Sequence, residues 1–200
     1  MLIAVPTESL ASERRVALIP DAAKKLVRAG IDVCIEQGAG LRSGYSDADY
    51  EAVGATLSSD ASELLSKADM VLRVRKPDLP DVSKLKSGAI HISYLDPYNE
   101  TELVDALGAA NVTAISMEMI PRTTRAQKMD ALSSQANLAG YVMVVLAAQQ
   151  LDRILPMMMT PAGTLSPARV FVIGAGVAGL RHGANARAVG VATTRHERCD

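Results

Sequence analysis

Apolar and polar positions alternate in short blocks along the first 120 or so residues of the chain. LIAV (residues 2–5) is a continuous apolar run of strand length, and DAAKKLVRAG (21–30) carries apolar positions at helical spacing, with Asp21 as the expected N-cap and Gly30 as the stop. DVCIE (32–36) reads as the next strand and is followed by the turn-rich QGAGLRSG. These three elements form a βαβ unit. The pattern continues with helical segments near 47–52 and 61–67, strands at 68–74 and 89–95, a helix at 100–109 and a strand at 111–116. Strands alternating with helices predict a mainly parallel sheet covered on both faces. The expected fold class is therefore α/β: a doubly wound parallel-sheet (Rossmann-like) domain, followed by the start of a second Rossmann domain.

From Ser133 or Ser134, either of which can cap a helix, the apolar positions Leu138, Tyr141, Val142, Val145 and Leu151 mark a long helix. Gly140 inside it predicts close packing. The segment ILPMMMTPAGTLSPAR then concentrates three prolines and a glycine, which reads as a connection between domains, its Met triplet serving as packing. RVFVIGAGVAGL (169–180) sets Gly174, Gly176 and Gly179 in G-x-G-x-x-G spacing after a strand and at the opening of a helix. In that context the glycines, with Val177 and Ala178 beginning the helix, present backbone N–H groups to a pyrophosphate. Glu197, 18 residues beyond Gly179, is the candidate carboxylate for the ribose hydroxyls. The segment around it, VATTRHERCD, makes a poor central strand, because Arg195, His196 and Arg198 interrupt it. The expected division is 1–133 for the first domain, 134–168 for the linking helix and connection, and 169–200 for an incomplete second domain.

Composition narrows the function classes. An apolar share of 48%, a charged share of 22% and a net charge of −1 supply no field for nucleic acid or anionic lipid. The longest uninterrupted apolar run, residues 141–148, is far short of the roughly 20 residues a membrane span needs. The N-terminal MLIAVPTES has no signal-peptide pattern, so a soluble, cytoplasmic chain without direct membrane insertion is expected. Cys34 and Cys199 have no metal-ligand spacing and argue for a reducing compartment; His182 and His196 read as solvated; no metal is expected.

Together the stretches VPTES, ERRVALIP, EQGAGLRSGYSDADYEAVGA, ADMVLRVRKP, PRTTRAQKMDALSSQANLAGY and VIGAGVAGL resemble the NAD(H)-binding alpha subunit of proton-translocating nicotinamide nucleotide transhydrogenase, and more distantly alanine dehydrogenase. The likeness runs from about residue 1 to 181. It implies two nucleotide-binding-type domains, a homodimer, and NAD(H) held in the cleft between the domains, with NADP(H) on a partner subunit. It implies further that the chain is cut short, and that it sits in the cytoplasm, peripherally on the inner membrane, through membrane-embedded and NADP-binding partners. Arg122, Gln127, Asp130 and Ser133 correspond to the loop that contacts the nicotinamide and its ribose. Gln127 would reach between the two rings' neighbourhoods, Arg122 and Asp130 would hold each other and the carboxamide or ribose, and Ser133 would bond the carboxamide.

The two families part on chemistry. Oxidative deamination moves protons and needs an acid/base pair beside the substrate. Alanine dehydrogenase supplies a Lys in V-K-E-P and a His in Y-L-H-L, where this chain is read to hold Arg75 in VRKP and Tyr94 in SYLDP. Arginine stays protonated and cannot be the base. His91 and Lys76 lie off register and read as bystanders, while Arg15 sits in a motif that both families share. Hydride transfer between two nicotinamide rings exchanges no proton at the reacting carbons, so a loop of fixed hydrogen-bonding groups suffices. The expected function is the transhydrogenase alpha-subunit role, with activity depending on partners. The alternatives are an amino-acid dehydrogenase of the alanine dehydrogenase kind and a truncated, non-catalytic nucleotide-binding module.

Overall fold

The structure, a computed structural model, describes residues 1–174, 176–188 and 192–196. Two compact units divide the chain, Met1–Pro121 and Arg122–Asp200.

The first unit is a six-stranded parallel sheet. Its strands are β1 (Leu2–Val5), β2 (Asp32–Glu36), β3 (Thr56–Ser58), β4 (Met70–Arg75), β5 (Ile90–Tyr94) and β6 (Thr113–Ser116), in the order β3-β2-β1-β4-β5-β6. Ile3 of β1 stands between Val33 and Met70. Consecutive residues on a strand point to opposite faces, and the neighbours of Ala4 and Val5 show both faces covered. Val5 packs with Val33, Ile35, Ala23 of α1 (Pro20–Arg28) and Tyr50 of α2 (Asp47–Glu51), whereas Ala4 packs with Val71 and with Leu64 and Leu65 of α3 (Ala61–Lys67). The unbroken apolar run of β1 is thus the signature of a strand buried on both sides. A third cluster joins Val82 of α4 (Leu79–Val82), Leu95, and Leu103 and Leu107 of α5 (Thr101–Ala109).

Local details correct or extend the sequence reading in three places. Asp21 does not cap α1: the N-cap is Ile19 with no side-chain bond, Pro20 opens the helix, and Asp21 sits in the first turn where its charge meets the helix dipole. The strand β3 and the helix α4 are additional elements, too short for a periodic pattern to register. Gly40 has a packing reason: a Cβ there would lie 2.7 Å from the Tyr50 ring and 2.9 Å from the Tyr45 carbonyl. The loop after β2 therefore closes over Tyr50, whose hydroxyl donates to the Leu18 carbonyl at 2.9 Å and whose pKa burial pushes up to about 12.

The second unit pairs α6 (Ala131–Gln150) with α7 (Val177–Ala188) around buried Val144, Leu155, Ala168 and Ala186. Gly140 is buried in α6, as close packing requires. By length and composition alone α6 is apolar enough to cross a membrane, because the residues that break its apolar run are uncharged. The segment read as a plain connection carries an antiparallel hairpin, β7 (Met158–Thr160) with β8 (Gly163–Leu165). β9 (Arg169–Ile173) pairs in parallel with β10 (Ala192–His196), so a final strand does form despite its interrupting charges. Among the described residues it has one neighbour only, and such a strand escapes the apolar demand made on a central one.

Candidate functional site

In an open α/β sheet, ligands collect outside the carboxyl ends of the strands where the strand order reverses. In the first unit that place lies between β1 and β4. The register of β4 on β5 shifts between Leu72 and Arg75, and Glu8, on the loop after β1, accepts the N–H groups of Val74 (2.6 Å) and Arg75 (3.1 Å). This carboxylate therefore satisfies amides at the irregularity and ties the two strand ends together. Arg75 Nε donates to Glu13 at 3.1 Å, and Arg15 donates to the same carboxylate through Nε at 2.7 Å and Nη2 at 2.6 Å. The Arg15 bonds outweigh the opposing effect of burial and bring the Glu13 pKa down to about 2.

Beside this ion cluster opens a pocket of about 420 Å³, lined by Ser9, Leu10, Arg75, Lys76, Asp78, Tyr94 and Asp96. Lys76, read as a bystander, is part of its wall and pairs with Glu100. His91 is not: it is fully buried in β5 with Nε2 3.1 Å from Ser93 Oγ. Burial, helped by the charge of Arg73, lowers its pKa to about 4. One register also needs correction, since laying Y-L-H-L over Tyr94-Leu95-Asp96-Pro97 puts the family's His at Asp96 rather than Tyr94. Either way, the lining residues include no His or Cys, and a guanidinium is no general base. Sequence reasoning missed Ser9, Leu10, Asp78 and Asp96, which only the strand order brings together.

In the second unit, Thr123 and the two-turn 3₁₀ segment Thr124–Met129 lead into α6, with buried Ala126 anchoring the loop. Arg122, Thr123, Thr124, Gln127 and Asp130 line a pocket of about 260 Å³. Three of the four loop residues singled out from the sequence thus share one wall, and Ser133 does not line it. Asp130, rather than Ser133 or Ser134, is the N-cap of α6: its carboxylate accepts the Ser133 N–H at 2.9 Å, while Ser134 Oγ donates to the Asp130 carbonyl at 2.9 Å. Hydrogen bonds from Ser133, side chain first and then backbone, hold the Asp130 carboxyl below the usual carboxylate range, and the Arg122 charge adds to this. Asp130 is at once a helix cap and a pocket wall.

The glycine turn has the geometry its spacing predicts. Gly174 takes φ +97°, a conformation that favours glycine; a Cβ on Gly179 would stand 2.3 Å from the Gly174 carbonyl oxygen; at Gly176 a Cβ would meet no atom within 4 Å. The first glycine makes the turn, the third lets helix and strand close up, and the second leaves the backbone approachable. Val177 and Ala178 begin α7. Glu197 lies outside the described residues.

A sheet in the order 3-2-1-4-5-6 and a strand, glycine turn and helix in sequence define a Rossmann-like α/β protein of the nucleotide-binding class. The chain belongs to the alanine dehydrogenase/PNT family: residues 4–139 match its N-terminal domain and residues 143–199 its C-terminal domain. It is 45% identical over 195 residues to a polypeptide of the NAD(P) transhydrogenase alpha subunit of Rhodospirillum rubrum, covering 95% of this chain and 51% of that one. The transhydrogenase structure from Sinorhizobium meliloti superposes with a TM-score of 0.95 at 45% identity, covering 100% of this chain and 57% of that one. The alanine dehydrogenase of Halomonas elongata is more distant, 36% identical over 90% of this chain and 48% of its own length. The chain spans about half the length of these curated relatives.

Proposed function

We propose that this chain is the NAD(H)-binding portion of a proton-translocating transhydrogenase alpha subunit, which passes hydride between NADH and NADP+ held on a partner subunit. The observation that carries the reading is the gathering of Arg122, Gln127 and Asp130 around one pocket, in the same unit as the glycine turn. The donor set fits a neutral carboxamide and a ribose. Arg122 and Gln127 offer N–H donors, and Asp130, its carboxyl held below the usual carboxylate range, accepts. Gly174, Gly176, Val177, Ala178 and Gly179 would hold the pyrophosphate on the α7 N-terminus, with Glu197 for the ribose hydroxyls.

A bound reduced nicotinamide supplies the hydride. The residues of this chain orient the ring and keep water away; no proton has to move at the reacting carbons. Asp130 stiffens the clamp by capping α6, and the Ser133 hydroxyl adds a bond to the carboxamide. The amino-acid dehydrogenase reading is set aside because Arg75, ion-paired with Glu13, stands where a base is needed and His91 is sealed inside the sheet. The reading includes a homodimer, NADP-binding and membrane-embedded partner subunits, and a cytoplasmic position at the inner membrane reached through those partners. It also keeps the division into residues 1–133, 134–168 and 169–200.

The test is reconstitution with the complementary subunits, following NADH-dependent reduction of an NADP+ analogue. Turnover is expected, slowed by Gln127→Asn with little change in KM, and L-alanine should not reduce NAD+. Failure of the chain either to perturb NADH fluorescence or to raise turnover above the partner-only blank overturns the reading.

A further inference from the structure

A second polar groove lies within the same unit, between α6 and α7. Ser134, Asn137, Leu138 and Tyr141 recur at helical spacing on α6, and Arg181 and Asn185 stand one turn apart on α7; together they line a space of about 540 Å³. It shares no lining residue with the pocket of Arg122, Gln127 and Asp130. None of its lining residues is acidic.

Two features show that its donors are unspent. Arg181 Nε donates to Asn137 Oδ1, which anchors the guanidinium by its inner nitrogen. Among the described residues the two terminal nitrogens have no hydrogen bond or ion pair. Asn185 Nδ2 is closed off from solvent and, among the described residues, also lacks a partner, a state that native proteins rarely leave unexplained. A fixed guanidinium fork beside an unmet amide donor, with no carboxylate to compete, matches an oxyanion with several acceptor oxygens.

We propose that this groove is a phosphate-binding site. Arg181 gives two parallel N–H bonds to two phosphate oxygens, and rotation of the Asn185 side chain into the groove brings Nδ2 to a third. Tyr141 contributes its hydroxyl from the facing helix. Arg181 stands about one and a half turns, on the order of 7 Å, along α7 from Gly176, so the bound group is separate from a pyrophosphate on the glycine turn. The phosphate is either a free ion or a monoester carried on a nucleotide. The site does not depend on the transhydrogenase reading.

The experiment titrates the full chain with inorganic phosphate at constant ionic strength, balanced with chloride, and reads the ³¹P line width and the melting midpoint. A saturable effect is expected, weakened about tenfold or more by Arg181→Gln and by the isosteric Asn185→Asp, which adds a repelling charge. Arg181→Lys should recover part of the affinity. A parallel arm with a nucleoside 2′-phosphate separates the two sources: tighter binding than inorganic phosphate indicates a nucleotide-borne group, and equal binding a free anion. NADH titration of the Arg181→Gln protein should match the wild type, so a failure of NADH binding in both would count against the transhydrogenase reading alone. A non-saturable effect, an effect reproduced by chloride, or undiminished binding in both folded variants overturns the phosphate site.

Discussion

The two units treat polar and apolar groups in opposite ways. Among the described residues, the buried polar and charged side chains, Glu8, Glu13, Arg73, His91 and Ser93, all lie in the first unit, behind a sheet covered on both faces. The second unit leaves large apolar side chains open, with Met159 and Ile173 both 83% exposed. A six-stranded parallel sheet encloses enough volume to bury a charge against a partner, such as Arg73 against partly exposed Asp81 at 2.7 Å. Two helices with two-stranded sheets cannot. The first unit therefore holds its polar groups fixed against one another, while the second presents its polar groups, at a loop and a turn, to whatever binds.

The strongest test of this contrast is the same truncation in both cores. Leu65→Ala, at 1% exposure beneath β1 and β4, should cost about 2–5 kcal/mol in urea unfolding. Leu155→Ala in the second unit, at 9%, should cost less than half as much. Equal costs would erase the difference between the units.

Acid should next unfold the first unit. His91 has a folded pKa of about 4 against 6.5, so the unfolded chain takes up the proton first. Stability is full above pH 6.5 and falls by about 3 kcal/mol as the pH drops to 4. Glu13 acts lower: its contribution is present above pH 4.5 and is lost as the pH falls to about 2. His91→Gln should flatten the upper step and spare the lower, as measured by denaturant midpoints from pH 7.5 to 3.

In the second unit the effects should fall on ligand binding. Gly179→Ala, which drives a Cβ into the Gly174 carbonyl, should weaken NADH binding roughly tenfold or more in a fluorescence titration, the equivalent of about 1.4 kcal/mol. Asp130→Asn keeps a capping side chain and removes the charge, so it should weaken NADH binding while sparing the melting midpoint; Asp130→Ala should lower both. The smallest effect belongs to Lys67→Ala, whose partner Glu63 is as exposed as itself, and no change in midpoint should be measurable.

The longer helices and strands of the first unit, the glycine turn and the loop of Arg122, Gln127 and Asp130 could be read along the chain because each depends on neighbours within a few residues, whereas β3 and α4 were too short to register. A buried strand is a run of apolar residues wherever it lies, and a glycine turn has its spacing before it has a ligand. The misread caps show the limit of this. Asp21, Ser133 and Ser134 are all good capping types, and the backbone conformation at Ile19 and Asp130 chose the actual position.

What the sequence determined by itself, then, is the α/β class, the strand, turn and helix of the nucleotide motif, and a set of hydrogen-bonding side chains in one loop. Only the tertiary structure decided that Arg75 meets Glu13 across 62 positions, that Lys76 faces a pocket while His91 is entombed, and that Arg181 reaches Asn137 across 44. Pairings at such separations depend on strand order and helix packing, which arise from the free energy of the whole fold and leave no periodic trace in the chain.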